Sequence, residues 1–129
     1  MIAVDTNVLV RYLIGDDPEQ ARRARAAIEG QDVLVTTTVL LETAWVLTRG
    51  YGQKQAACVD ALVAFAGLAN VTVENAAMVA QALAWARGGL DIADALHLAQ
   101  ARDCTAFVTF DRALIKGARA LRGVAVRGP

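Results

Sequence analysis

Short apolar blocks alternate with longer amphipathic stretches along this chain. Ile2-Ala3-Val4, Val33-Leu34-Val35, Val71-Thr72-Val73, Ala106-Phe107-Val108 and Val124-Ala125-Val126 are bounded by polar or turn residues and predict five short strands. Thr6-Asn7 starts a helix that reaches Ile14 and stops at Gly15. Asp17-Pro18-Glu19 supplies a cap, a first-position proline and a first-turn acid for a second helix, which runs to Gly30 with Arg22, Arg23 and Arg25 outward. Thr36-Thr37-Thr38 caps a third, from Val39 to about Arg49, ended by Gly50-Tyr51-Gly52. Residues 53–66 and 76–87 give two more, closed by Gly67 and by Gly88-Gly89. Asp91 caps a sixth helix with the apolar face Ala93, Leu96, Leu98 and Ala99, and Arg112 opens a last one to about Leu121. Strands alternating with helices imply a parallel sheet of about five short strands with helices on both faces, a three-layer α/β arrangement in one domain over residues 1–129.

Composition narrows the class. The chain is 56% hydrophobic, so a packed core is expected. No apolar run reaches the roughly 18 residues of a membrane span. The opening MIAVDTNVLVRYL carries Asp5 and Arg11 and no basic leader, which argues against a secretory signal. Cys58 and Cys104 stand apart from any CxxC spacing, which fits buried thiols in a reduced, cytoplasmic protein. The 13 basic and 13 acidic residues cancel, so total charge is silent about nucleic acid. Their distribution is not silent. After Asp111 come Arg112, Lys116, Arg119, Arg122 and Arg127 with no acid. Arg112, Lys116 and Arg119 share helical spacing, as a phosphate-binding face or simply a solvated one.

Five acids are candidates for chemistry. Asp5 and Asp111 follow strands, where each serves equally well as a turn or helix cap or as a ligand at the sheet's carboxyl rim. Glu42 has Val39, Trp45 and Val46 as its helical neighbours, so it is expected on an apolar face, where a carboxylate needs a cation or a donor. Asp91 reads first as a cap, and Asp94 lies one turn on, where the helix dipole favours negative charge. Singly these have ordinary explanations. As a set converging on one rim they would repel unless divalent cations neutralised them, and oxygen-only ligands favour Mg²⁺ or Mn²⁺. Such a site suits metal-assisted phosphodiester hydrolysis.

With Asp5-Thr6-Asn7, Glu42, the helix Asp94-Ala95-Leu96-His97-Leu98-Ala99 and Thr109-Phe110-Asp111 in this order, the sequence resembles the PIN-domain nucleases over essentially its whole length. It looks most like the VapC toxins of toxin–antitoxin pairs. The resemblance implies a PIN-like fold and a Mg²⁺- or Mn²⁺-dependent endoribonuclease, often acting on tRNA or rRNA. It also implies a homodimer neutralised by a VapB-type antitoxin. Carried over by position, Asp5, Glu42, Asp94 and Asp111 would bind metal, with Asp91 as an accessory acid. Thr6, Asn7 and Thr109 would orient the carboxylates, and Arg112, with Lys116 and Arg119 behind it, would meet RNA phosphate.

Rival chemistries fit less well. A haloacid-dehalogenase-type phosphatase wants an acid where Asn7 stands, and a receiver domain wants an acidic neighbour for Asp5. A histidine-pair ribonuclease is excluded because His97 is the single histidine, and His97 is expected to be packed or hydrogen-bonded. Trp45, Trp85, Tyr12, Tyr51 and Phe65 are candidate stacking residues, but Trp45 and Phe65 lie on apolar helical faces and are expected in the core. The rival from another class is an RNA- or protein-binding module without turnover. Excess apolar surface on the helices between Asp17 and Phe65 is expected to meet a second subunit and an antitoxin segment.

Overall fold

The computed structural model describes residues 1–129. The elements are β1 (Ile2–Ala3), α1 (Thr6–Ile14), α2 (Pro18–Glu29), β2 (Val33–Val35), α3 (Thr37–Trp45), α4 (Gln55–Ala66), β3 (Val71–Val73), α5 (Ala76–Arg87), α6 (Ile92–Gln100), β4 (Phe107–Val108), α7 (Arg112–Ala118) and β5 (Val126–Arg127). All five strands pair in parallel, as expected for a chain that crosses over through helices. Hydrogen bonding groups them as a three-stranded sheet, β1-β2-β3, and a two-stranded one, β4-β5. The chain divides correspondingly into two compact units, Met1–Ala76 and Ala77–Pro129. No helix is long and apolar enough to cross a membrane.

In the first unit Ile2 pairs with Val33 and Val33 with Val71, so the three strands end at one rim. Asp5, Thr36 and Glu74 follow those ends, and each supplies a cap. Asp5 Oδ1 accepts from the Thr6 amide at 2.8 Å and Thr36 Oγ1 from the Val39 amide at 3.4 Å. Glu74 Oε1 accepts from the Thr37 amide at 3.0 Å. The core beneath contains Leu9, Ile28, Val33, Val35, Leu47, Leu62 and Phe65. Arg22, Arg23 and Arg25 face outward, as the pattern on α2 predicts.

Helix α3 departs from its predicted form. It ends at Trp45 and continues as a π-helical turn, Val46–Gly50, so the expected helix over 39–49 is two geometries rather than one. Its buried positions are Thr37, Leu40, Thr43 and Ala44, one stripe at helical spacing. Two threonines thus occupy the face turned to the core. Trp45 is 62% exposed and Glu42 is exposed on the other face. The expectations that Glu42 would sit on a buried apolar face and Trp45 in the core are both corrected. Phe65 is buried as expected, against Tyr12 in an edge-to-face contact at 5.6 Å.

In the second unit Leu98, Leu114 and Ala118 form a core cluster joined by the partly buried Trp85, Leu90, Phe107, Leu121, Val124 and Val126. Phe107 pairs with Val126, while the next residue, Val108, is 50% exposed. The block over 106–108 is therefore not the fully buried strand that its composition suggests. With one strand partner, alternate side chains point away from the cluster. His97 is exposed rather than packed, and of the two thiols only Cys58 is buried. Burial pushes the Cys58 thiol up to about 11.

Candidate active site

Three of the predicted acids meet in the second unit. Asp91, Asp94 and Asp111 line an open cavity of ≈550 Å³ with Gly88, Gly89, Leu90, Ala113, Leu114 and Gly117. The sequence builds it from two helix starts. Gly89 takes φ +115°, a left-handed conformation that favours glycine, and so turns the chain out of α5. Asp91 then caps α6, its Oδ1 accepting from the Ala93 amide at 3.0 Å and the Asp94 amide at 3.1 Å. Asp111 caps α7 in the same way, Oδ1 accepting from the Leu114 amide at 3.1 Å. The small residues Ala113 and Gly117, one turn apart on α7, leave the wall between the acids open.

Asp94 is the electrostatic focus. Its carboxyl is held above the ordinary carboxylate range, first by burial and then by the charges of Asp91 and Asp111, against a weaker opposing effect of His97. A half-buried acid facing two others is a site that favours a proton or a cation. Oδ1 of Asp91 and Oδ1 of Asp111 are engaged by amides, so the cap interactions leave Oδ2 of each for another contact.

Asp5 and Glu42 belong to the first unit and Asp91, Asp94 and Asp111 to the second. Within neither unit are three His, Cys, Asp or Glu side chains gathered into a ready metal cage. Thr6 donates its amide to Asp5, and its buried hydroxyl has no hydrogen-bond partner. Thr109 Oγ1 accepts from the Asp111 amide at 3.0 Å and so sets the turn that carries the acid rather than touching its carboxylate. Asn7 lines a cavity of ≈320 Å³ with Val8, Arg11, Gln20, Arg23, Ala24 and Ala27. Arg112, Lys116 and Arg119 are all exposed on and just after α7.

The sequence pattern does not single out Glu74. It follows Val73 at the same rim as Asp5, and the amide of Thr37 holds its carboxyl below the usual range. Its strand-end position was the available signal. Nor does the pattern reveal the network of Arg11, Asp16, Gln20 and Tyr51. Arg11 donates to Asp16 and Gln20, each at 2.7 Å, and Tyr51 donates to Asp16 at 3.0 Å. These contacts fasten α1 to the start of α2 and to the turn after the π-helical segment.

The model of the PIN domain matches residues 2–120. The chain belongs to the PIN-domain family. That match runs through both units and covers every acid discussed above. Among solved structures, the crystal structure of Mycobacterium tuberculosis VapC20, a sarcin–ricin loop cleaving toxin, is similar over 98% of this chain and 99% of that one, with 25% identity and a TM-score of 0.44. No curated protein matches the chain by sequence.

Proposed function

We propose that this PIN domain is a Mg²⁺- or Mn²⁺-dependent endoribonuclease, one nuclease domain over residues 1–129, acting as the toxin of a VapBC-type pair. The observation that carries the reading is Asp94, an acid raised by burial and by Asp91 and Asp111 in a cavity that opens to solvent. Membership of the family supports it, and the motif order DTN, Glu42, DALHLA and TFD supports the toxin assignment.

The oxygen-only donor set fits a hard divalent cation. Asp5, Glu42, Asp94 and Asp111 would hold it, with Asp91 as the accessory acid. Bound there, the ion would supply Lewis acidity and charge neutralisation for phosphodiester hydrolysis. The chain's own part is positional. Amide donors fix Asp91 and Asp111 so that neither needs to reorganise, and Thr109 sets the approach of Asp111. Arg112, Lys116 and Arg119 offer an exposed cationic stripe to the phosphates of tRNA- or rRNA-class RNA. Trp45, Tyr51 and Val63, all exposed, supply apolar surface for a homodimer and an antitoxin segment in the cytoplasm.

Structured RNA incubated with the purified chain and Mg²⁺ or Mn²⁺ is expected to be cut, and cutting is expected to stop with EDTA or with Asp5→Ala. Cleavage that survives both treatments belongs to a contaminant. Failure to cut any RNA would favour a binding module without turnover. The toxin label has a separate test, a small upstream reading frame encoding a DNA-binding antitoxin.

A further inference from the structure

We propose that Phe110 is a stacking platform that holds an unpaired RNA base beside the acid cavity. This makes it a substrate-positioning residue for the nuclease reading on which the proposal rests. Phe110 is 89% exposed, the most open large apolar side chain in the protein. The backbone around it is not loose. Thr109 donates its amide to the Arg127 carbonyl at 3.0 Å, and the Asp111 amide donates to Thr109 Oγ1 at 3.0 Å. Asp111 in turn caps α7 at Leu114. The ring is therefore presented from a turn fixed on both sides, so engaging a partner costs little backbone ordering.

What surrounds it selects the partner. Helix α7 has three faces at helical spacing. Leu114 and Ala118 face the core, Ala113 and Gly117 line the cavity with the edge of Leu114, and Arg112, Lys116 and, just past the helix, Arg119 are exposed. Phe110 stands at the start of this helix, one residue before a cavity acid and two before the first arginine of the stripe. An aromatic face for a base with cations for the adjoining phosphates is the pairing by which single-stranded nucleic acid is held. A duplex offers no free base face to such a ring, so the contact selects unpaired nucleotides.

The test uses the full chain and a short unstructured oligoribonucleotide carrying one 2-aminopurine. Binding is read without divalent ions and cleavage with Mg²⁺. Binding to the unsubstituted chain is expected to change the probe's emission as the base stacks. Phe110→Ala is expected to weaken binding about tenfold or more, the scale of one base–aromatic stack, and to abolish the emission change. Phe110→Tyr is expected to restore both, whereas Phe110→Leu, apolar but without a π face, behaves as the alanine variant. In cleavage, Phe110→Ala is expected to raise KM with little change in kcat. Unaltered binding in Phe110→Ala, full rescue by leucine, or no binding by the unsubstituted chain would each overturn the proposal. Phe110-dependent binding with no cleavage would instead overturn the nuclease reading and leave the platform standing.

Discussion

The carboxylates of the two units differ in what faces them. At the rim of the first unit Asp5 and Glu74 each accept from a backbone amide at a helix start, which at Glu74 holds the carboxyl below its usual range. In the second unit Asp91 and Asp111 do the same work, yet the residue between them in the cavity does not. Asp94 is raised by burial and by like charge, and no hydrogen bond offsets either effect. An acid that caps a helix contributes to the fold whatever else it does. An acid left half-buried against two others costs stability, and proteins retain such costs where a ligand relieves them. Exposure and hydrogen bonding thus separate two kinds of acid that look alike in sequence.

The largest effects expected from this contrast come from replacing each acid by its amide. Asp5→Asn and Asp111→Asn keep a side-chain oxygen for the cap, so melting temperature should hardly move. Asp94→Asn has no cap to lose, and Glu42→Gln is exposed. All four should lower RNA cleavage by several kcal/mol of barrier, on the order of 10³-fold, if each holds metal. Turnover measured beside thermal melting separates the two roles. Any amide variant with full turnover and an unchanged melt removes that acid from the site.

The units also differ in core. Leu9, Ile28, Leu47 and Leu62 in the first unit are essentially sealed, whereas Leu98 is the one large side chain of the second unit buried to that degree. Leu98 packs beside half-buried neighbours such as Leu90, Leu121 and Val124, which are freer to close a hole. Leu9→Ala and Leu98→Ala are both expected to destabilise by about 2–5 kcal/mol, Leu9→Ala near the upper end and Leu98→Ala near the lower. Urea unfolding of the two variants checks the order. A larger loss at Leu98 would mean that the second unit is as rigidly packed as the first.

Helix starts were legible in the sequence because the signals are local. Asp17 and Asp91 cap the helices that they were expected to cap, and Gly15 takes the left-handed conformation that stops α1. The five parallel strands were legible for the same reason, although β5 lies at Val126–Arg127, shifted toward the C-terminus from the apolar block at 124–126. Glu42 is exposed because the apolar neighbours that suggest a core face do not mark one here. Thr37 and Thr43 occupy that face instead, and a tryptophan lies outside. A pattern that scores threonine as polar and tryptophan as apolar inverts such a helix. Glu74 escaped because its partner, the Thr37 amide, is 37 residues away. Likewise the meeting of Asp94 with Asp91 and Asp111 joins two helix starts whose nearness is set by packing of the second unit.

The smallest expected effect is the most direct measure of what distinguishes Asp94. Its folded-state carboxyl titrates above the ordinary range, so ionisation is harder in the native protein than in the unfolded chain. The stability tied to this group is therefore fully present below the unfolded value and is lost as pH rises through the folded one. Asp94→Asn cannot ionise there. Its melting temperature should match that of the unsubstituted protein in acid and exceed it by a growing margin toward neutral pH. The margin should be a few degrees at most, since the group is only half-buried and solvent screens it. Millimolar Mg²⁺ at neutral pH should close the gap by stabilising the unsubstituted protein and not the variant, because only the former gains a neutralised carboxylate. A variant less stable than its parent at neutral pH without divalent ions would show Asp94 to be a satisfied structural acid. The cavity would then have no cause to attract a cation at that residue.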